Sequence, residues 1–104
     1  MILEERCYTL NPTSVRQFLS LYENEGLSML LQHLGDLKGF FTTETGELNQ
    51  VVHLWGFKDL VDREQRRAQL WSDPKWIAYA DKVLPLIVRM ETRFLRPTTF
   101  SPLR

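Results

Sequence analysis

Residues Phe40–Phe57, FFTTETGELNQVVHLWGF, decide the fold. The segments on either side of the centre are rich in β-branched and aromatic residues, which suit pleated strands. Between them, Thr45-Gly46-Glu47 interrupts the apolar pattern with a glycine, the residue that most easily takes the positive φ angle of a short hairpin loop. The stretch therefore predicts a β-hairpin.

The two strands of this hairpin are apolar on both faces. Because alternate side chains of a strand point to opposite faces, a loop at residues 45–47 sets Phe41 opposite Val51 and Thr43 opposite Asn49. One face then carries Phe41, Val51, His53, Trp55 and Phe57, and the other carries Phe40, Leu48, Val52 and Leu54. A sheet with one face in water alternates more cleanly than this, so we expect each face to need a cover.

Turn and capping residues divide the rest of the chain into strands and helices. Asn11 and Pro12 suit an N-cap and a first helical position. Gly26 ends or kinks that helix, and Gly35 suits a C-cap. The predicted elements are a strand at 2–10, helices at 12–25 and 27–34, the hairpin, helices that begin at Asp59 and Pro74 and run to about 71 and 82, and a strand at 86–95.

This order of elements is βαββαβ, the ferredoxin-like arrangement of a four-stranded antiparallel sheet with helices on one face. We expect a single domain over residues 1–104 with an α+β fold. In the last strand, the side chains expected beneath the helices are Leu86, Val88, Met90, Thr92 and Phe94.

The face with Phe41, Val51 and Trp55 would then lie in water, and an exposed apolar patch of this kind marks an interface. We therefore expect a homodimer through the open sheet face. A two-fold axis would bring the two sheets together as a dimeric α/β barrel.

Composition excludes several classes of protein. The 104 residues include 13 basic and 13 acidic side chains, and zero net charge argues against nucleic-acid binding through a broad basic field. The single cysteine, Cys7, can form neither an internal disulfide nor a cysteine metal cluster. No apolar run is long enough to span a bilayer, and no signal-peptide pattern opens the chain. We expect a cytoplasmic protein with no nucleic-acid or membrane partner.

Five segments form a recognisable pattern: FFTTETGELNQVVHLWGF, the arginine-rich REQRRAQL, DPKW, the closing RPTTFSPL, and the E-x-R-x-Y of Glu4, Arg6 and Tyr8. Together they cover nearly the whole chain and resemble the NIPSNAP family. Asn11-Pro12-Thr13 departs from the family, which often has Pro-Gly at this turn. The resemblance implies a dimeric α/β-barrel fold, in agreement with the order of elements.

The resemblance implies less about activity. Bacterial members are mostly uncharacterised, and eukaryotic relatives are associated with mitochondria, vesicle traffic and protein partners. The wider dimeric α/β-barrel group includes cofactor-free monooxygenases and haem-degrading enzymes, whose pockets often use Asn, Trp, His or Arg. Asn49, His53, Trp55 and Arg89 are of these types, but no position-by-position match assigns them a catalytic role. We predict no cofactor and leave haem open as a ligand.

His53 is the candidate catalytic residue, because histidine titrates near neutral pH and can act as a general base. The alternative is a structural histidine held by hydrogen bonds within the sheet. No metal site is predicted, and the motifs HExxH, GxxxxGK and GxGxxG are missing. The residues predicted to bind a ligand inside the barrel are Glu4, Arg6, Tyr8, Asn49, His53, Trp55, Arg89 and Glu91. We expect the charged side chains, with Arg93, mostly to pair and to leave one arginine for an anionic ligand.

Arg63, Arg66 and Arg67 stand at helical spacing and have two interpretations. They form either a solvated face held by ion pairs, or an anion clamp or partner contact. Two functions stay open for the whole chain. One is a small-molecule site in the barrel, as in a monooxygenase-like enzyme acting on an aromatic or conjugated substrate. The other is a non-catalytic interaction or scaffold module.

Overall fold

The computed structural model describes residues 1–104 and confirms the ferredoxin-like βαββαβ order. The strands are β1 (Ile2–Leu10), β2 (Asp36–Thr42), β3 (Gln50–Phe57) and β4 (Ile87–Leu95). The helices are α1 (Val15–Leu21), α2 (Leu27–His33), α3 (Leu60–Trp71) and α4 (Pro74–Val83). A π-helical turn, Tyr22–Gly26, joins α1 to α2, and a 3₁₀ turn, Leu84–Leu86, precedes β4. The strands form one antiparallel sheet in the order β2-β3-β1-β4.

Local signals place three helix boundaries, the starts of α3 and α4 and the end of α2, where the sequence predicted them. The Asp59 carboxylate accepts the backbone N–H of Asp62 at 2.8 Å, and the Asp73 carboxylate accepts that of Lys75 at 2.9 Å; both are N-caps. After α2, Gly35 takes a φ of 87°, the left-handed conformation of a helix C-terminus.

The start of the first helix differs from the prediction. Ser14, not Asn11, is the residue before α1. The backbone N–H of Ser14 donates to the carbonyl of Asn11 at 2.9 Å, so residues 11–14 form a turn. Asn11 itself donates its backbone N–H to the Leu86 carbonyl at 3.0 Å. It is therefore tied to the segment before β4, and this long-range contact replaces the predicted cap.

The core lies between one face of the sheet and the helices, and the sheet face that it buries is not the predicted one. Val51 and Trp55 are 0% and 1% exposed, so the prediction that they lie on the open face is wrong. They pack in a single cluster whose other buried members include Leu10, Phe18, Leu30, Leu70 and Tyr79. The side with Val51 and Trp55 is thus covered by the chain's own helices.

The register of the hairpin also differs from the prediction. Phe40 lies opposite His53, and Phe41 lies opposite Val52, one position away from the predicted pairing. The loop is longer than residues 45–47, because the strands end at Thr42 and resume at Gln50. An irregularity in β2 between Leu37 and Gly39 then returns the pairing to the predicted register, with Leu37 opposite Trp55. Phe40 therefore joins the helix side, while Phe41 is 53% exposed.

A similar irregularity divides the predicted face of β4. Met90, Thr92 and Phe94 pair with Tyr8, Arg6 and Glu4, so they share the helix side, as predicted. A shift between Thr9 and Leu10 then sets Ile87 opposite Leu10. Val88, predicted beneath the helices, is instead 65% exposed.

The opposite face of the sheet has no helix against it. Its side chains alternate with those on the helix side and include Glu5, Cys7, Phe41, Val52, Arg89, Glu91 and Arg93. Among the helices, none combines the length and the apolar character that a bilayer-spanning segment needs.

Candidate functional site

A cavity of about 70 Å³ lies between the sheet and the helices. It is lined by 17 residues, of which 14 are hydrophobic. Since about 10–15 Å³ suffices for one water molecule, the cavity has room for several waters or for part of a small organic molecule. Trp71, Leu84 and Met90 line it and are also exposed, which marks the side on which it opens to solvent.

Four of the eight residues predicted to bind a ligand line this cavity, namely Arg6, Tyr8, His53 and Trp55. The pairing of β1 with β3 brings them together, since Arg6 lies opposite His53 on the helix side. The cavity beside His53 thus lies within one chain and beneath its own helices. The sequence placed it on the face expected to meet a second copy.

The structure separates three of the other predicted residues from this group. Asn49 lies in the hairpin loop at a φ of 63°, and its carbonyl accepts the Leu10 N–H at 2.8 Å. Arg89 and Glu91 form an ion pair on the open face of the sheet. Glu4 is the eighth residue, and it lies next to the cavity without lining it.

Glu4 is the centre of a buried ionic network that fixes α3 on the sheet. Its carboxylate is 1% exposed and accepts hydrogen bonds from Arg6 at 2.9 Å, Arg63 at 3.0 Å and Thr92 at 2.7 Å. Burial alone would raise the pKa of Glu4, but hydrogen bonds from Arg63 and Thr92 and the positive charges of Arg6 and Arg63 outweigh it and lower the pKa. Arg6 also donates to the Tyr8 hydroxyl at 2.7 Å, so the network holds two cavity residues in place.

His53 is buried, neutral and held in one tautomer. Its Nδ1 accepts the indole N–H of Trp55 at 2.9 Å. Because an indole nitrogen can only donate, the imidazole proton must be on Nε2. Burial, then the positive charge of Arg6, lowers the pKa of His53 to about 3, although Glu4 acts in the opposite direction. At neutral pH His53 therefore offers a hydrogen-bond donor, not the free lone pair that a general base needs.

Aromatic rings hold the imidazole on several sides. Phe40 stacks on it at a centroid distance of 4.8 Å, and Tyr8 meets it edge-on at 4.9 Å. Tyr22 lies edge-on at 6.1 Å. This packing restricts the ring to one orientation.

Four buried polar atoms have no hydrogen-bond partner in the protein, and all four belong to residues that line the cavity: Tyr22 Oη, His53 Nε2, Trp76 Nε1 and Tyr79 Oη. Burial raises the pKa values of Tyr22 and Tyr79 far above their ordinary range. Both hydroxyls therefore stay protonated. The cavity has an apolar wall rich in aromatic rings, with four N–H or O–H groups available as donors.

Sequence reasoning left Arg67 open between a solvated, ion-paired face and an anion clamp or partner contact. It assigned Trp76 to the core and missed Tyr22 and Tyr79 as site residues. One signal for two of them was present in Gly26. An added Cβ there would lie 2.5 Å from Cζ of Tyr79, so only glycine lets the π-helical turn approach that ring. Such turns occur frequently at functional sites, and this one carries Tyr22 at its start.

No three His, Cys, Asp or Glu side chains come together in a group that could hold a metal ion. The donors around the cavity are N–H and O–H groups, which suit an organic ligand rich in acceptor atoms.

Fold and site together define a ferredoxin-like α+β protein with an enclosed aromatic cavity beneath its helices. The same fold occurs in a Nitrosomonas europaea protein named "Putative antibiotic biosynthesis monooxygenase", with a TM-score of 0.68 over 93% of this chain and 98% of that one at 7% identity. A likeness at this level of identity concerns the fold alone.

The chain belongs to the NIPSNAP family, whose sequence model matches residues 3–102. A NIPSNAP family protein of Agrobacterium tumefaciens has a TM-score of 0.97 and 42% identity, covering 99% of this chain and 98% of that one. A NIPSNAP-like domain protein of Burkholderia xenovorans has a TM-score of 0.93 and 49% identity, covering 97% of this chain and 88% of that one.

Curated relatives of the family are much longer than this chain. Protein NipSnap homolog 2 of Danio rerio is 33% identical over 99% of this chain but only 35% of its own length. Protein NipSnap of Drosophila melanogaster is 33% identical over 97% of this chain and 36% of its own length. This chain therefore corresponds to about a third of those proteins.

Proposed function

We propose that the chain binds a small, largely aromatic organic molecule in the cavity between its sheet and its helices. The observation that supports this is the common location of Tyr22 Oη, His53 Nε2, Trp76 Nε1 and Tyr79 Oη, none of which has a partner in the protein. Buried polar atoms nearly always have a partner. Four exceptions around one cavity therefore favour a ligand with acceptor atoms at this site.

The wall of the cavity suits such a ligand. Ligand pockets are mostly apolar with a few convergent polar groups, and 14 of the 17 lining residues are hydrophobic. Aromatic rings of Tyr8, Trp55, Trp71 and Trp76 offer faces and edges for stacking against a planar molecule.

Oxygenation of an aromatic or conjugated substrate is the candidate reaction. It is supported by the fold shared with antibiotic biosynthesis monooxygenases and by the predominantly apolar cavity. The roles of the residues come from this chain alone. His53 would hold a substrate oxygen through Nε2–H, and Tyr22 and Tyr79 would orient it through their hydroxyls, while the aromatic walls exclude water.

The test of this proposal is a binding screen by thermal unfolding and tryptophan fluorescence. All 3 tryptophans of the chain, Trp55, Trp71 and Trp76, line the cavity, so a ligand there should change the emission. Phenols, quinones, aromatic carboxylates and haem are the compounds to screen. A ligand present at about 100 times its Kd should raise the Tm by about 10 °C or more.

Two leucine substitutions on α4 provide a matched pair for this screen. Ala80 is buried and lines the cavity, whereas Ala78 is exposed on the same helix. We expect Ala80→Leu to abolish the response to a ligand by filling the cavity, and Ala78→Leu to leave the response unchanged. A library that yields no ligand, or equal responses in the two variants, would contradict the proposal and favour the interaction-module alternative.

We also propose that a second copy covers the open face of the sheet. This face combines the exposed Phe41 and the half-buried Val52 with the ion pairs Glu5–Arg93 and Arg89–Glu91. Charges of both signs beside apolar side chains suit a two-fold contact, in which this face meets the same face of the second copy. Light scattering should show a dimer that Val52→Lys dissociates and that Ser28→Lys, on an exposed position of α2, does not. A monomeric wild-type protein would refute this proposal.

A further inference from the structure

One arginine beside the cavity has no partner. On α3, Arg63 pairs with Glu4 and Glu64, and Arg66 pairs with Asp62 and donates to the His33 carbonyl. Arg67 follows directly and lines the cavity, half-buried. No hydrogen bond or ion pair of the structure involves its guanidinium.

No carboxylate near Arg67 is left to pair with it. Arg6 also lines the cavity, and Arg63 lies beside it in the Glu4 network. The two carboxylates beside these arginines are already engaged: Glu64 pairs with Arg63, and the oxygens of Glu4 accept from Arg6, Arg63 and Thr92. Burial, then repulsion from Arg6 and Arg63, lowers the pKa of Arg67, with Glu4 and Tyr8 acting in the opposite direction.

Arg67 stands where a ligand would enter. Trp71 is one helical turn further along α3, lines the cavity and is exposed. Residues four apart on a helix share one face, so the guanidinium and the indole lie on the same side of the opening. Trp71 in turn meets Trp76 edge-on at 5.8 Å, which continues the aromatic wall inward.

We propose that the ligand of this cavity is a small aromatic carboxylate, with its carboxylate paired to Arg67 at the opening and its ring packed against the wall that Trp71 and Trp76 form. The proposal rests on the proposed binding function and adds the chemical class of the ligand. Arg67 is then the residue that determines the preference for a negative charge. A planar guanidinium binds a carboxylate through two parallel hydrogen bonds, and the aromatic walls require a ring to fill them.

An inorganic anion fits the same position less well. The lining is predominantly hydrophobic, and a fully hydrated ion would lose its water against apolar side chains without recovering contacts. Phosphate should therefore compete weakly, whereas an aromatic carboxylate gains both the ion pair and the stacking.

The test compares each acid with its neutral amide. We would measure Kd by tryptophan fluorescence for benzoate against benzamide and for 2-naphthoate against 2-naphthamide. The proteins are the wild type, Arg67→Gln, and Arg66→Gln as the matched control, because Arg66 pairs with Asp62 away from the cavity. A charge-assisted hydrogen bond corresponds to about a 10- to 100-fold change in affinity.

We expect wild type and Arg66→Gln to prefer the acid by about 10-fold or more, and Arg67→Gln to bind acid and amide equally with unchanged amide affinity. The urea midpoint of Arg67→Gln should be no lower than that of the wild type, because the variant removes a half-buried unpaired charge. If the wild type binds amides as tightly as acids, or if Arg67→Gln keeps the preference, the carboxylate proposal fails while binding in the cavity stands. If no acid or amide binds, the carboxylate proposal fails, and the binding function fails with it only if the wider screen also yields no ligand.

Discussion

Protonation of His53 should destabilise the fold at mildly acidic pH. In the folded protein the pKa of His53 is lowered from 6.5 to about 3, because the ring is buried and lies close to Arg6. In the unfolded chain it titrates near 6.5. The unfolded state therefore binds more protons between these two values, and the free energy of unfolding must fall as the pH falls through this window.

The magnitude follows from the two pKa values. At about 1.36 kcal/mol for each pH unit, the full difference between 6.5 and about 3 corresponds to about 5 kcal/mol. Between pH 7.5 and pH 4.5 the contribution is about 2.5 kcal/mol. Single domains are stable by about 5–15 kcal/mol, so this loss is easily measured.

The assay is urea unfolding at several pH values for the wild type and for His53→Asn. Asparagine can still accept the Trp55 N–H but does not titrate, so the variant should lack the loss of about 2.5 kcal/mol between pH 7.5 and 4.5. His33→Asn is the control: His33 pairs with Asp73 at 3.1 Å outside the cavity, and this variant keeps His53. The reasoning is refuted if the free energies of unfolding of the wild type and His53→Asn, plotted against pH, stay parallel within about 0.5 kcal/mol across this range.

Three further substitutions test the contacts that hold the site. Glu4→Gln should lower the free energy of unfolding by about 3–5 kcal/mol, because it removes the carboxylate that pairs with Arg6 and leaves Arg63 with Glu64 alone. Glu5→Gln, next in the strand but partly exposed, should cost less than about 1 kcal/mol, and equal costs would contradict a central role for Glu4. Gly26→Ala places a Cβ 2.5 Å from Cζ of Tyr79 and should lower the free energy of unfolding by about 1–3 kcal/mol. Its near-ultraviolet circular dichroism should change, and an unchanged spectrum would show that the Tyr79 ring moves aside without cost. Asp59→Ala removes the cap of α3 and should lower stability by about 1 kcal/mol, and the same urea midpoint as the wild type would show that the cap contributes nothing.

The order of elements was predictable because its boundaries carry local signals. Asp59 is followed by a helix whose N-cap it forms, Pro74 opens the next one, and Gly35 closes α2 with a positive φ. Each signal acts over a few residues and needs no knowledge of the rest of the chain. Asn11 shows the limit of this reasoning, because its backbone N–H is bound by Leu86 from the far end of the sequence.

The buried face of the sheet was not predictable in the same way. A shift of one residue moves a strand's side chains to opposite faces, and the hairpin is apolar on both of them. The register is set by the long loop that ends at Asn49, with its φ of 63°, and by the irregularity between Leu37 and Gly39. No periodicity in the sequence specifies either feature.

The buried donors without a hydrogen-bond partner could not be predicted from the sequence, for a different reason. Tyr22 and Tyr79 occupy ordinary core positions of helical segments, and only the three-dimensional structure shows that nothing accepts from their hydroxyls. The Glu4–Arg63 contact joins residues 59 positions apart. The sequence alone left the arginines of α3 open between a solvated surface and an anion clamp. In the structure Arg63 forms a buried pair with Glu4, and the guanidinium of Arg67 has no partner.

The polarity of this core is itself an argument for function. A buried polar atom without a partner costs about 1–3 kcal/mol, and phenylalanine at Tyr22 and Tyr79 would fill nearly the same space without that cost. A buried ion pair such as Glu4–Arg63 often contributes no more stability than apolar residues of equal volume. The core therefore retains polar groups that folding alone does not require, and all of them lie at or beside one cavity. A ligand that accepts from these groups and pairs with Arg67 would recover part of that cost on binding, and this coupling predicts that the liganded protein is the more stable form.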